Sequence, residues 1–158
     1  MPVGPVLPET SLVLDTNILT AWRYKEPGVS GAIAAYQSRL KLPPALASIT
    51  VYEALFGFEN STARSRELSD QTKLDRIRIE LLIQSCIVLP FDQTSAQIAA
   101  YVIPRLPKNI DKPTLLDALI AATALAHGYG VATRDKGFEI IGRHTPAHMP
   151  LRLESWPR

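Results

Sequence analysis

The hydrophobic positions along the chain form short apolar runs that alternate with segments of helical periodicity. Four runs predict buried strands and a fifth predicts an edge strand, at residues 12–14, 45–48, 87–89, 131–133 and 151–153. The longer segments between them repeat apolar residues three and four positions apart, which is the spacing of an amphipathic helix. This alternation predicts a three-layer α/β/α sandwich with a central, mostly parallel five-stranded sheet.

The predicted helices differ in character. One is expected to open at 50–53 and to be broken by the polar residues at 60–62. A long amphipathic helix is predicted over 64–84, where arginines and a lysine make the surface locally basic. Such a face is usually solvated, with nucleic-acid contact as the alternative. Residues 115–124 are almost all apolar, so this helix should be central and covered on most sides.

The composition suits one globular domain: of 158 residues, 46% are hydrophobic and 20% are charged. We assign residues 1–10 to a flexible leader and 11–158 to the domain. The leader lacks the features of a signal peptide, and the most apolar helix is too short to span a membrane. Cys86 is the one cysteine, so we expect a reducing compartment, the cytoplasm. The net charge of +2 permits a nucleic-acid partner without requiring one.

Four acidic residues stand at corresponding positions relative to the predicted strands. Asp15 and Asp135 directly follow apolar runs, while Glu53 and Asp117 lie in the first turn of predicted helices. The carboxyl ends of parallel strands meet at one edge of a sheet, where open α/β proteins bind their ligands. The four side chains are therefore predicted to face one crevice.

Each acid also has a purely structural explanation. Asp15 could be a turn or helix-capping residue. Asp135 could be a turn residue. Glu53 lies three residues after Thr50, which fits a capping box, and Asp117 stands in nearly the same relation to Thr114. Asp117 fits this explanation least well, because a carboxylate in an otherwise apolar helix needs a partner.

Four carboxylates in one crevice require compensating positive charge. Two unit charges about 4 Å apart repel by about 4 kcal/mol at an effective dielectric constant of about 20. Protonation, basic partners or a bound cation would relieve the repulsion, and an all-oxygen ligand set favours Mg²⁺ or Mn²⁺ over zinc. Because such an ion activates water and binds phosphate oxygens, phosphodiester hydrolysis is the expected chemistry. Thr16, Asn17 and Thr133 are candidates to orient the carboxylates or waters.

Four segments of the sequence resemble the PIN-domain ribonucleases. They read Leu-Asp-Thr-Asn at 14–17, Ser-Ile-Thr-Val-Tyr-Glu at 48–53, Leu-Asp-Ala-Leu-Ile-Ala-Ala-Thr-Ala at 116–124 and Ala-Thr-Arg-Asp at 132–135. The linking segment Val-Leu-Pro-Phe-Asp at 88–92 is also typical of that family. The closest resemblance is to the VapC-type toxins of toxin–antitoxin pairs, including the FitB-like branch, and it extends over about residues 12–156.

The resemblance implies an activity and two kinds of partner. The protein is expected to be a Mg²⁺- or Mn²⁺-dependent endoribonuclease that cuts single-stranded or loop RNA, as the toxin of a type II toxin–antitoxin system. It is also expected to be a homodimer, inhibited by a small VapB-type antitoxin whose C-terminal segment enters the active-site groove. Asp15, Glu53, Asp117 and Asp135 take the family's metal-binding and catalytic positions. The sequence departs from its relatives at the proline-rich loop 104–112 and in the shortened segment after Asp135.

Two other interpretations stay open at this point. A haloacid-dehalogenase-type phosphatase also begins with an aspartate at a strand end, but it needs a second acid two residues later, where this chain has Asn17. Alternatively, a PIN-like fold could serve as a protein-binding module without catalysis. The presence of all four acids argues against that second alternative.

Overall fold

A five-stranded sheet forms the centre of the computed structural model, which describes residues 11–64, 67–108 and 111–157. The predicted leader at 1–10 lies outside the described residues. The strands are β1 (Leu12–Leu14), β2 (Ala45–Ala47), β3 (Ile87–Leu89), β4 (Gly130–Thr133) and β5 (Leu153–Ser155). Their order is β3-β2-β1-β4-β5, and every pairing is parallel. The prediction of a central parallel sheet is confirmed, with the fifth strand two residues later than expected.

Helices cover both faces of the sheet. They are α1 (Thr16–Arg23), α2 (Pro27–Leu40), α3 (Ser48–Ala63), α4 (Asp70–Gln84), α5 (Gln93–Val102), α6 (Leu115–Ala126) and α7 (Gly137–Gly142), with a 3₁₀ turn at Ile103–Arg105. None of the helices in the described ranges has the length and apolar character needed to cross a lipid bilayer.

The alternation of side chains along the strands separates two hydrophobic cores. Val13 and Val131 point to one face, where they pack with α5, α6 and α7. Leu14 and Leu46 point to the other, where they pack with α1, α2 and α4. The apolar helix α6 is central, as predicted, and most of its alanines are fully buried. These two cores fix the strands from both sides, which holds their carboxyl ends at one edge.

The predicted helix over 64–84 is wrong at its start, and the predicted break at 60–62 does not occur. Helix α3 continues through these residues, and the Ser61 and Thr62 hydroxyls donate to the carbonyls of Gly57 and Phe58, so both side chains are satisfied without ending the helix. Helix α4 begins only at Asp70. Its N-cap is Ser69, whose hydroxyl accepts the backbone N–H of Thr72.

The order of the strands creates a crevice at the carboxyl edge of the sheet. Strand β2 pairs with one side of β1, and strand β4 pairs with the other side. Such a switch point leaves space between the loops that follow the two strands, and ligands bind there in open α/β folds. Asp15 follows β1 directly, and Thr133 is the last residue of β4.

Candidate active site

Asp15 uses its two carboxylate oxygens for different purposes. It is the N-cap of α1, since its Oδ1 accepts the backbone N–H of Ile18 at 2.8 Å. Its Oδ2 accepts the hydroxyl of Thr133 at 2.5 Å, and the residue is 2% exposed. The capping explanation is therefore correct for one oxygen, while the other oxygen faces the crevice between β1 and β4.

Thr133 connects two of the predicted acids. Its hydroxyl donates to Asp15 and accepts the backbone N–H of Asp135 at 2.9 Å. The Oδ1 of Asp135 then accepts the N–H of Gly137 at 2.8 Å, which closes a tight turn after β4. A Cβ at Gly137 would lie 3.1 Å from that same oxygen and 3.1 Å from the Cα of Pro113, so this close approach favours glycine. The turn leaves Oδ2 of Asp135 facing the crevice.

Glu53 has no part in capping α3, so the predicted capping box with Thr50 is wrong. The helix begins at Ser48, with Ala47 as its N-cap, and Glu53 is therefore its sixth residue rather than its third. Alanine offers no side-chain acceptor for a helix start. The Oε1 of Glu53 accepts the Thr16 hydroxyl at 2.8 Å, which fixes the carboxylate beside the start of α1.

Asp117 forms a complete capping box at the start of α6. Its backbone N–H donates to the Thr114 hydroxyl at 3.1 Å, and its Oδ2 accepts the N–H of Thr114 at 2.9 Å. The structural explanation for this residue is correct. It does not exclude a second role, because the same carboxylate also makes an ion pair within the crevice.

Lys112 is the partner in that ion pair and is a functional candidate that the sequence did not reveal. Its Nζ lies 3.2 Å from Oδ2 of Asp135 and 3.7 Å from Oδ2 of Asp117. The hydrogen bond to Asp135 is the main reason that the pKa of the Lys112 ammonium is raised. The sequence signal was weak, since a lysine in a loop rich in proline is ordinarily a solvated surface residue.

The electrostatics of the crevice connect the four acids. Burial raises the pKa of Asp15 from 3.8 to about 6, the hydrogen bonds from Thr133 and Ile18 oppose the rise, and repulsion from Asp117 and Asp135 adds to it. Burial also raises the pKa of Glu53; Thr16 opposes this shift, Asp117 adds to it and Lys112 opposes it. Asp117 is therefore the acid whose charge acts on both Asp15 and Glu53.

The donor chemistry of the crevice fits a hard divalent cation. Carboxylates on Asp15, Glu53, Asp117 and Asp135 provide only oxygen, the ligand atom that Mg²⁺ and Mn²⁺ prefer. In the described ranges, no group of three or more His, Cys, Asp or Glu side chains already has the spacing of a metal site. The ammonium of Lys112 instead contacts two of the carboxylates. The cluster thus attracts cations, although its ligands are not drawn together around one point.

A polar cavity of about 450 Å³ opens beside Asp135. The residues that line it come from α1, the start of α2 and the turn after β4: Asn17, Thr20, Ala21, Glu26, Arg134, Asp135 and Lys136. Nη1 of Arg134 lies 3.0 Å from Oε2 of Glu26, so the guanidinium is fixed at the cavity wall. Asn17 is exposed in this wall, whereas Thr16 and Thr133 directly bond acids of the cluster.

This fold is that of a PIN domain, and the chain belongs to that family: the PIN domain model matches residues 12–143, a range that contains all four acids. Among curated relatives, VapC ribonuclease Y4jK of Sinorhizobium fredii is 32% identical over 142 residues, which are 86% of this chain and 99% of the relative. The resemblance to VapC-type PIN domains is confirmed. This assignment replaces the haloacid-dehalogenase alternative.

Solved structures agree with the assignment of the fold. A chain of VapBC2 from Rickettsia felis, bound to a DNA fragment from its promoter, superposes with a TM-score of 0.71 at 18% identity and covers 94% of this chain and 100% of its own. A chain of FitAB bound to a DNA fragment superposes with a TM-score of 0.60 at 25% identity and covers 91% of this chain and 94% of its own. The predicted likeness to the FitB-like branch is confirmed by this second structure.

Proposed function

We propose that this protein is a Mg²⁺- or Mn²⁺-dependent endoribonuclease and the toxin of a type II toxin–antitoxin system. The observation that carries the proposal is a chain of contacts at the carboxyl edge of the sheet: Thr133 joins Asp15 to the backbone of Asp135, and Lys112 joins Asp135 to Asp117. The name of the relative, VapC ribonuclease Y4jK, supports RNA as the substrate. We also propose that residues 11–158 act as a single domain and that the protein works in the cytoplasm.

The side chains of the crevice have distinct tasks in this proposal. The four carboxylates would hold the ion, which supplies an activated water and a positive charge beside the phosphate of the substrate. Thr133 holds Asp15 and the backbone of Asp135 in one orientation, and Thr16 does the same for Glu53. With a pKa of about 6, Asp15 is largely ionised at neutral pH, which a carboxylate ligand requires.

The polar cavity beside Asp135 gives the RNA a place next to the proposed cleavage site. Lys136 in its wall provides positive charge for the phosphate backbone, while the guanidinium of Arg134 is paired with Glu26. Asn17 offers an amide group that pairs with the edges of unstacked bases. This placement favours single-stranded or loop RNA, since bases in a duplex are not free to enter a cavity.

The proposed inhibitor is a small VapB-type antitoxin. The VapBC family is a family of toxin–antitoxin systems, and solved relatives of this fold include VapBC and FitAB complexes. A mainly apolar cavity of about 300 Å³ lies between α1 and α4; its lining includes Trp22, Leu81 and Leu82, together with Arg23 and Arg78. Apolar residues flanked by acidic ones in the antitoxin would match this surface. We further propose that the toxin is a homodimer.

Cleavage of RNA under controlled metal conditions tests the activity. The purified toxin, separated from its antitoxin, is incubated with a pool of single-stranded and hairpin RNAs in Mg²⁺, in Mn²⁺ and in EDTA. We expect cleavage only with metal. Asp15→Asn, Glu53→Gln, Asp117→Asn and Asp135→Asn should each lose activity by about a hundredfold or more, because even residues behind metal ligands contribute about 10- to 100-fold.

Asp92→Asn is the matched control, since Asp92 caps α5 through Ser95 and is not one of the four acids. This variant should retain wild-type activity. Equal cleavage in EDTA, or no cleavage with either metal, would refute the proposed nuclease. The second of those results would favour the non-catalytic binding module.

A further inference from the structure

We propose that Lys112 is a tethered counter-cation: it holds Asp117 and Asp135 in the metal-free protein, releases them to the metal ion and then contacts a phosphate of the RNA. The inference rests on the proposed function and adds a substrate-positioning residue to it. The observation behind it is that one ammonium lies 3.2 Å from Asp135 and 3.7 Å from Asp117.

The burial of the three side chains is unequal. The side chains of Asp117 and Asp135 are 14% and 15% exposed, whereas that of Lys112 is 52% exposed. The carboxylates are also fixed by backbone hydrogen bonds, from Thr114 to Asp117 and from Gly137 to Asp135. Lys112 lies on a loop, and its ammonium is at the end of a flexible four-carbon side chain. The acids are therefore the rigid partners and the ammonium is the partner that moves.

The charge of the crevice explains why the ammonium is attracted to this position. Clustered carboxylates repel one another, and the ammonium of Lys112, which is protonated at neutral pH, contacts two of them. In the absence of metal, the ammonium thus provides part of the compensating charge that the cluster requires.

The contacts of Lys112 with the two acids are weak enough to be released. Its side chain is 52% exposed, and water and salt screen an ion pair at such a position. A divalent ion held by the same carboxylates would bring twice the charge and would repel the ammonium. The stem of Lys112 would then keep its charge near the mouth of the crevice, where it could donate to a phosphate of the RNA.

Measurement of Mn²⁺ binding tests the first half of the inference without any need for activity. Free Mn²⁺ is counted by electron paramagnetic resonance during titration of the wild type, Lys112→Met, Lys112→Arg and Lys41→Met. Lys41 is an exposed lysine that precedes β2, at the opposite edge of the sheet. Lys112→Met should bind Mn²⁺ about two- to fivefold more tightly than the wild type, while Lys41→Met and Lys112→Arg remain close to the wild type.

The second half of the inference predicts the opposite change toward RNA. At saturating Mn²⁺, Lys112→Met should raise KM for RNA and lower the slope of log KM against log salt by about one, which is the signature of one lost phosphate contact. Lys112→Arg should restore both values, and Lys41→Met should change neither.

The two proposals fail in different ways. Unchanged Mn²⁺ affinity in Lys112→Met, or an unchanged salt slope, would overturn the inference while leaving the proposed nuclease intact. If Lys112→Met only lowers the melting temperature in EDTA, the lysine is structural and the inference is wrong. If none of the four proteins binds Mn²⁺, the proposed metal-dependent function is refuted and the inference falls with it.

Discussion

Thr133 and Asp15 are 118 positions apart in the sequence and share a hydrogen bond of 2.5 Å between Thr133 Oγ1 and Asp15 Oδ2. The bond joins the carboxyl ends of β1 and β4 at the point where the acids converge. Since the same hydroxyl also accepts the N–H of Asp135, one threonine orients two of the proposed metal ligands. Its loss should therefore affect both stability and chemistry.

We predict that Thr133→Val destabilises the metal-free protein by about 1–3 kcal/mol, because it leaves buried polar groups without a partner. The pKa of Asp15 should rise above about 6, since the Thr133 hydrogen bond opposes the effect of burial. Urea denaturation and an NMR titration of the Asp15 carboxyl measure the two effects. Thr123→Val is the control: Thr123 is fully buried, and its hydroxyl donates to the Leu119 carbonyl within α6. The prediction would be contradicted if Thr133→Val lowered the free energy of unfolding by less than Thr123→Val does.

The pKa of Asp15 predicts how stability depends on pH in the absence of metal. The pKa is about 6 in the folded protein and 3.8 in the reference state, so the folded state binds this proton more tightly. Protonation of Asp15 therefore increases the free energy of unfolding as pH falls from above 6 toward 3.8. The full difference between the two pKa values corresponds to about 3 kcal/mol. Melting curves in EDTA should show a rise in stability between pH 7.5 and pH 5.

Asp15→Asn isolates this contribution from those of other titrating groups. The amide oxygen still accepts the N–H of Ile18, so the cap of α1 is retained. The variant should be more stable than the wild type at pH 7.5 in EDTA, and the difference should shrink toward pH 5. A constant difference across this range would show that the folded-state pKa of Asp15 is not raised.

Much of this site could be predicted from the sequence because its main determinants are local. Short apolar runs identified the strands, and parallel strands bring the residues after their carboxyl ends to one edge. The sequence therefore predicts that Asp15 and Asp135 lie together at that edge. Thr16 and Thr133, adjacent to a strand end, were found in the same way and do bond acids of the cluster.

The errors arise where non-local contacts or competing local signals decide the structure. Lys112 contacts Asp117 and Asp135 because of the conformation of its loop. The hydrophobic periodicity of the sequence does not predict that conformation. Glu53 matched a capping box in spacing, but the buried strand β2 passes directly into α3, and the helix starts three residues earlier than that box requires. Helix α3 likewise continues through polar residues that ordinarily mark a turn, and their hydroxyls donate to carbonyls of the same helix.

The surface of α4 gives a prediction about the partner. Leu81 is 59% exposed beside the apolar cavity, so Leu81→Asp places a charge where the antitoxin is proposed to bind. The affinity for the proposed antitoxin should fall at least about tenfold, the effect expected of a central apolar contact. Metal-dependent RNA cleavage by the free toxin should not change.

Surface plasmon resonance with the two purified proteins measures this loss. Tyr101→Asp is the control, because Tyr101 is an exposed aromatic on α5, which packs against the other face of the sheet. If both variants bind the antitoxin as the wild type does, the antitoxin does not occupy the surface between α1 and α4.

Asp117 provides the most direct test of the proposed metal site, because it combines a capping role with a position among the acids. If Asp117 only capped the helix, Asp117→Ala would remove the acceptor for the Thr114 N–H and cost about 1 kcal/mol, with or without metal. Asp117→Asn keeps an oxygen for that hydrogen bond but removes the negative charge that repels Asp15 and Glu53. In EDTA it should melt at or above the wild-type temperature, although it also weakens the ion pair with Lys112.

The response to metal separates the two roles. Mg²⁺ at about a hundredfold excess over Kd should stabilise the wild type by about 2.7 kcal/mol through mass action, and Asp117→Asn should gain far less. Asp92→Asn changes a helix cap outside the cluster, so it should respond to Mg²⁺ as the wild type does. Melting curves of all four proteins, each in EDTA and in saturating Mg²⁺, make the comparison. If Asp117→Asn melts lower in EDTA and gains as much from Mg²⁺ as the wild type, Asp117 is a helix cap and not a metal ligand.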